Sequence, residues 1–336
     1  MPKLAIIDAT AAPADHSPCS LPASRYATSI ANSPLIGHVL DELAAGGISE
    51  ARIVAVPAVR RDLDHILRAG RTSGVEVSYS EALEGSERHS VLAELEHALA
   101  AGPVFLHPGD CLFRAQLATM QDRYRLGDVD SVLPAQAEVH PLRTPSERRA
   151  SESPLLLGPG TRSLVKELLS PAGEAEDLVE SLLHSDCRLA VCEQKEHWRY
   201  SDSTEGLLVA NRMVLDALAE TAPRESFGDN NQFHGRVSLS PQAFVSNCVI
   251  YGPVSIDDRA VVEDSFTGPY TAIGADAIVS GTEIDNSMVL AGAEVRHPGA
   301  RIESSIIGER ARVTRSFELP KGLHMRLGPD SRVTFS

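Results

Sequence analysis

The sequence predicts an α/β domain followed by a parallel β-helix of hexapeptide-type repeats. Three observations carry that reading. Short apolar runs alternate with helical segments of about 10–15 residues through the first two thirds, the pattern of βαβ units and a mostly parallel sheet. In the last third an aliphatic residue recurs every 17 positions, at Leu239, Ile256, Ile273, Leu290 and Ile307. Between them Ala219–Arg236 is polar and aperiodic, so it reads as a linker. The boundaries follow: an α/β domain over 1–220, a linker over 221–236 and a β-helix over 237–336.

The elements are taken in order. Leu4–Ile7 is a first strand, followed by a long loop, Asp8–Ile30. A helix opens at Asn32-Ser33-Pro34, carries Leu35, Ile36, Val39, Leu40 and Leu43 at helical spacing, and stops at Gly46-Gly47. Arg52–Val56 is a strand, Leu63, Ile66 and Leu67 mark a helix, and Val75, Val77 and Tyr79 alternate as a strand. Val91, Leu92, Leu95 and Leu99 define a third helix, and Val104–Leu106 a buried strand. Pro134–Pro154, rich in Pro, Ser, Arg and Glu, reads as a surface loop or flap. Leu155–Leu157 is a strand; two short helices follow around Leu164–Leu169 and Leu178–Leu182, then a strand at Arg188–Val191. Glu205–Leu218 is a helix with Leu207, Leu208, Val214 and Leu218 on its buried side.

In the repeat, Ala243, Ala260, Ala277 and Ala311 follow the aliphatic by four positions, and Val245, Val262, Val279 and Val313 by six. Inward aliphatics about six apart, stacked coil on coil, form the continuous core of a β-helix. Glu294 and Arg296 break the pattern within one coil, which predicts a bulge or short insertion there.

Composition narrows the function classes. The chain of 336 residues is 43% hydrophobic, enough for two sizeable cores. Its 31 Lys and Arg against 46 Asp and Glu give a formal charge of −15. An acidic chain without a basic stripe argues against nucleic-acid binding and against anionic membranes. No signal-peptide pattern and no long apolar run is present, and five cysteines do not suggest a disulfide framework, so a cytoplasmic protein is expected.

Candidate chemistry clusters at strand ends. In an open α/β sheet, ligands bind beyond the carboxyl ends of the strands. A phosphate-binding loop there needs glycines so that backbone N–H groups can approach the anion. The loop after the first strand has none before Ser20; Asp8 and Thr10 are its candidate pocket residues. The strand at Val104 runs into His107-Pro108-Gly109-Asp110, which puts a carboxylate where a divalent cation could bridge phosphates, or equally an ordinary turn Asp. His107 is a pocket candidate without a visible nucleophile beside it. His184, Cys187, Cys192 and His197 have the residue types of a zinc knuckle, but Cys187 and Cys192 fall on opposite faces of the strand between them, which favours ordinary packing.

Five stretches spread over nearly the whole chain, in order, resemble the nucleoside-diphosphate-sugar pyrophosphorylase family, and within it the long form of glucose-1-phosphate thymidylyltransferase. They are Ala31-Asn32-Ser33-Pro34 through Gly46-Gly47-Ile48; Gly109-Asp110-Cys111-Leu112-Phe113; Glu205-Gly206-Leu207-Leu208-Val209-Ala210-Asn211-Arg212; Gly268-Pro269-Tyr270-Thr271-Ala272-Ile273-Gly274; and Leu327-Gly328-Pro329-Asp330-Ser331-Arg332-Val333. The resemblance implies a Rossmann-like nucleotidyltransferase domain joined to a C-terminal left-handed β-helix. It implies attack of a sugar 1-phosphate on the α-phosphate of a nucleotide, with Mg²⁺ as cofactor.

The departures fall at the implied active site. The family's Gly-rich loop corresponds to Ala9–Ala14, with no glycine, with Ala14 near the position of the family Arg, and with Pro13 lacking a backbone donor. The family Lys corresponds to Arg25, the candidate phosphate-binding residue. The first metal-binding Asp corresponds to Asp110; the second falls on Tyr200 without a gap and on Asp202 with a two-residue gap. The Glu-Lys-Pro sugar segment has no clear counterpart, and Glu81–His89 stands in the base-contacting segment. The leading expectation is a family scaffold with a degenerate site, regulatory or repurposed for another small molecule, with no cofactor. The alternative is an active Mg²⁺-dependent sugar-1-phosphate nucleotidyltransferase. A third expectation, an acyltransferase or assembly scaffold acting through the β-helix, would need a catalytic His on a regular coil, whereas His297 lies in the irregular coil and His324 beyond the last clear repeat. The expected partners are a nucleotide or sugar phosphate and a second copy or a partner protein.

Overall fold

A computed structural model describes residues 2–11, 24–69, 74–113, 117–135, 150–151, 153–170, 177–193, 197–218 and 230–315. Most of the flap expected within Pro134–Pro154, the expected linker over 219–229, and His324 and Leu327–Val333 lie outside them.

The α/β domain runs β1 (Leu4–Ala9), a short 3-10 turn (Arg25–Ala27), β2 (Ser29–Ile30), β3 (Ser33–Pro34), α1 (Leu35–Ala45), β4 (Glu50–Ala55), α2 (Pro57–Ala69), β5 (Glu76–Glu81), α3 (Glu87–Leu99), β6 (Val104–His107), β7 (Cys111–Phe113), α4 (Leu117–Leu126), β8 (Ser131–Pro134), β9 (Leu155–Leu157), α5 (Arg162–Leu168), α6 (Leu178–His184), β10 (Leu189–Cys192), β11 (His197–Arg199) and α7 (Thr204–Leu215). The main sheet has the order β10-β8-β9-β6-β1-β4-β5. Every pairing is parallel except those of β9 with β6 and β8. The expected mostly parallel sheet is therefore observed.

Alternation along the strands builds a core on each face. Ala5, Ile7, Ala9, Ile53 and Phe105 pack with α1, α2 and α4; Ile6, Val54, Val104 and Leu106 pack with α3, α5 and α6. Helix α1 ends as the glycines predict. The Gly47 N–H bonds the Ala44 carbonyl and the Ile48 N–H bonds that of Leu43, with Gly47 at φ 77°. This is a Schellman closure, which needs a left-handed residue at that position.

The β-helix is made of parallel strands in three sheets, from Gln232–His234 to Arg312–Thr314. It is left-handed, as expected. Its first strand, Gln232–His234, pairs with Val249–Tyr251, so the solenoid begins inside the stretch read as linker. The irregular coil holds the expected short insertion, preceded by a one-residue deletion. Ile278 pairs with Glu294 and Val279 with Val295, a 16-residue step; Val295 then pairs with Val313, an 18-residue step. The chain is one residue short at the turn before Met288 and two residues long between Arg296 and Ile302. With that slip Ala293 and Val295 fill the inward positions, both fully buried, and Glu294 and Arg296 face outward. A one-residue shift exchanges the faces of a strand, so Val289, not Leu290, is the core aliphatic.

The outward Met288 and Leu290 join Ile30, Leu35, Leu112, Trp198, Leu207, Leu208 and Ala210 in one apolar cluster that seats α7 on the solenoid. Asn211 lies at its centre, fully buried. Its Oδ1 accepts from the Ala31 N–H at 3.1 Å and its Nδ2 donates to the Tyr270 carbonyl at 2.9 Å. Asn32 adds bonds to the carbonyl and hydroxyl of Ser255. The β2–β3 turn, the helix and the solenoid are thereby tied together.

Candidate functional site

The site lies where β1 and β6 end side by side, the position at which open α/β sheets bind ligands. Asp8 and Asp110 are both fully buried there. Gly109 makes the approach feasible: its φ is 76°, and a Cβ on it would sit 2.8 Å from the Asp8 carbonyl oxygen.

The start of the loop after β1 is closed on itself. The Thr10 backbone N–H donates to Asp8 Oδ1 at 3.1 Å, and its hydroxyl donates to the same oxygen at 2.6 Å. The Ala11 N–H donates to the Tyr26 hydroxyl at 3.1 Å, which in turn donates to the Asp8 carbonyl at 3.4 Å. Thus the first two N–H groups of the loop bond to protein. Tyr26, completely buried, escaped the sequence reading. Its signal was a large aromatic directly after the one cationic residue of a polar loop. Ala14 and the rest of the loop to residue 23 lie outside the described residues.

Arg25 and Asp110 are brought together. Arg25 Nη1 donates to Asp110 Oδ2 at 3.2 Å. The antiparallel pair β7–β11 puts Tyr200 on the other side: the Tyr200 N–H bonds the Asp110 carbonyl at 2.9 Å, and the Arg25 guanidinium lies over the Tyr200 ring at 5.3 Å. Burial, helped by Asp202, pushes the Tyr200 hydroxyl up, so it stays protonated near neutrality. Asp202 is exposed and reaches the Tyr200 hydroxyl at 3.5 Å.

His107 is buried and structural in its contacts. Its Nδ1 accepts from the Gly109 N–H at 2.9 Å, and Nε2 lies 3.8 Å from Cys111 Sγ. With Nδ1 an acceptor, the neutral ring carries its proton on Nε2 and points it at the sulfur. His184, Cys187, Cys192 and His197 do not converge: among the described residues no group of three or more His, Cys, Asp or Glu could hold a metal ion. Cys192 packs into the core, and burial raises its thiol. His297 sits at a solenoid corner with φ 45°, its ring where a side chain on Gly281 would be.

The residues at Asp110 do not fit the Mg²⁺ that the resemblance implies. A divalent ion there needs several oxygen ligands. Here the Asp110 carboxylate faces a guanidinium that lies over the Tyr200 ring, Asp8 Oδ1 is taken by Thr10, Asp202 is exposed, and among the described residues no group of three or more His, Cys, Asp or Glu could hold a metal ion.

No family model matches the chain. A glucose-1-phosphate thymidylyltransferase of Streptomyces griseus is 32% identical over 142 residues, 42% of this chain and 39% of that relative's length. One from Streptomyces antibioticus is 24% identical, covering 94% of this chain and 95% of the relative. The low-salt glycan biosynthesis nucleotidyltransferase of Haloferax volcanii is 24% identical, covering 90% and 92%. A Bacillus anthracis structure described as a glucose-1-phosphate thymidylyltransferase in complex with a sucrose shares the fold, with a TM-score of 0.52 and 15% identity over 66% of this chain and 98% of that one. No helix among the described residues is long and apolar enough to cross a membrane. Over nearly its whole length the chain is similar to sugar nucleotidyltransferases, and it shares the fold of a thymidylyltransferase.

Proposed function

We propose that the chain is a protein of the sugar-1-phosphate thymidylyltransferase type whose nucleotide-phosphate loop no longer runs the family reaction at an ordinary rate, and that it serves as a non-catalytic relative or acts on another small molecule. One observation carries the reading. The backbone N–H groups of Thr10 and Ala11, at the head of the phosphate loop, are bonded to Asp8 and to the Tyr26 hydroxyl. Phosphoryl transfer depends on preorganised donors aimed at the developing charge, each worth roughly 2.7–4 kcal/mol. Donors engaged with protein must break those bonds before they can serve a phosphate. The missing glycines and Pro13 in the same loop reduce the supply further.

The test is pyrophosphate release from dTTP and glucose 1-phosphate with Mg²⁺. No product above background is expected; sustained turnover that disappears in Asp110→Ala would refute the reading. The second reading, an active sugar-1-phosphate nucleotidyltransferase, draws on the relatives of matching length and on the pairing of Asp110 with Arg25, the residues that the resemblance implies for metal and phosphate. Under either reading the ligand is a small molecule, and the charge of −15 argues against nucleic acid.

A further inference from the structure

We infer that the crevice between α7 and one corner of the solenoid is a second binding site, and that its ligand is an uncharged sugar. The crevice is separate from the cleft at the ends of β1 and β6, and its ligand does not depend on whether the nucleotidyl reaction is lost.

Helix spacing builds one wall. Glu205, Leu208, Val209 and Arg212 stand at i, i+3, i+4 and i+7, so they form a single stripe along α7. The solenoid supplies the other wall. Asn286 and Ser304 turn successive coils at one corner, with φ 43° and 50°, and Asn286 Nδ2 donates to the Ser304 hydroxyl at 2.8 Å. Between the walls lies a cavity of about 380 Å³, at the low end of the range for small-molecule sites. The walls are fixed to each other. Arg212 Nε donates to Asn286 Oδ1 at 2.7 Å, and its guanidinium lies over the Tyr270 ring at 5.8 Å. The adjoining Asn211 anchors α7 from within the domain junction.

The chemistry of the lining suits hydroxyl groups. Among the described residues, Nη1 and Nη2 of Arg212 make no hydrogen bond, and the Glu205 carboxylate makes none. The two groups are about 10 Å apart along the helix axis, too far to pair with each other. The Ser304 hydroxyl, having accepted from Asn286, still has its proton to donate. Buried Leu208 and exposed Val209 lie on the helix between the two charges. A sugar ring matches each part: its hydroxyls donate to the carboxylate and accept from the guanidinium, and its C–H face packs on the aliphatic carbons.

Charge then selects the class. The flanking charges are already paired, Arg236 with Asp216 and Arg301 with Asp285. The two charges that line the cavity, Glu205 and Arg212, cancel. A phosphorylated ligand would bring charge that nothing there offsets. An α-amino acid holds its two charges much closer together than the cavity's own.

The experiment is titration of the full chain with glucose, galactose, mannose and maltose, followed by saturation-transfer NMR and by the fluorescence of Trp198, which shares an apolar cluster with Leu208. At least one sugar is expected to bind with a Kd of about 10 mM or tighter, and Glu205→Ala should weaken it about tenfold, the loss of a hydrogen bond to a charged group. The Glu205 side chain bonds to none of the described residues, so this variant should keep the wild-type urea midpoint. Val209→Trp, which fills the cavity from an exposed position, is the second variant and should abolish binding.

No binding of any of these sugars at about 100 mM would overturn the inference. So would binding that both variants leave unchanged, which would place the sugar elsewhere. Glucose 1-phosphate bound more tightly than glucose, and lost in Val209→Trp, would overturn the uncharged class.

Discussion

Asn211→Ala tests how the two domains are joined. Asn211 is fully buried, and its amide serves the Ala31 N–H and the Tyr270 carbonyl at 3.1 and 2.9 Å. Truncation leaves a buried donor and a part-buried acceptor without that partner. Each such group costs about 1–3 kcal/mol, and the exposure at Tyr270 favours the lower end for the carbonyl, so the loss should be about 2–4 kcal/mol. At about 2–4 °C per kcal/mol for a chain of this order, the unfolding midpoint falls by several degrees or more. The assay is built in. Trp198, the only tryptophan of the chain, is 6% exposed in the cluster between α7 and the solenoid. Urea unfolding followed by its fluorescence should show the transition shifting to lower denaturant. Asn32→Ala removes the neighbouring tie to Ser255, and because both ties hold one turn the double variant should be non-additive by at least about 0.5 kcal/mol. A loss below about 0.5 kcal/mol for Asn211→Ala, or strict additivity, would refute the reasoning.

Two further predictions concern packing and charge. In the slipped coil, Val295→Ala should cost roughly 2–3 kcal/mol, two methyl groups plus a cavity, whereas Arg296→Ala should change stability by less than about 1 kcal/mol because it removes an exposed ion pair; denaturant melts distinguish them, and the reverse order would restore the unslipped register. Glu94 is half-buried; burial works against its charge, but hydrogen bonds from Ser80 and Arg52 prevail and hold its carboxyl below the usual range. A lowered folded pKa stabilises above the unfolded value and is lost as pH falls through the folded one, so Glu94→Gln should destabilise at pH 7, and the gap to wild type should shrink as pH falls below the ordinary glutamate value of about 4.3 in thermal melts across pH.

The sequence by itself determined the fold class, the mostly parallel sheet and the β-helix, because hydrophobic periodicity is a local property that burial enforces coil by coil and strand by strand. It also determined the chemical poverty of the loop after β1: no folding can supply glycines or cations that Asp8–Ile30 lacks, apart from Arg25. The spacing of the repeat could not show that a missing residue before Met288 and two extra residues after Arg296 nearly cancel, since only pairing with the neighbouring coils reveals a register. For the same reason Leu290 read as core and proved to be interface.

The candidate site was legible as residue types and not as an arrangement. Asp110, Arg25 and Tyr200 are separated by 85 residues or more, and the sequence left the second carboxylate position open between Tyr200 and Asp202. Tertiary structure brought Tyr200 to Asp110 through the β7–β11 pair and left Asp202 exposed. It also joined the guanidinium to the carboxylate and turned the Thr10 and Ala11 N–H groups onto Asp8 and Tyr26. Burial makes the Asp8 partnership: a carboxylate taken out of water at a strand end must find donors, and the adjoining Thr10 N–H and hydroxyl are the nearest.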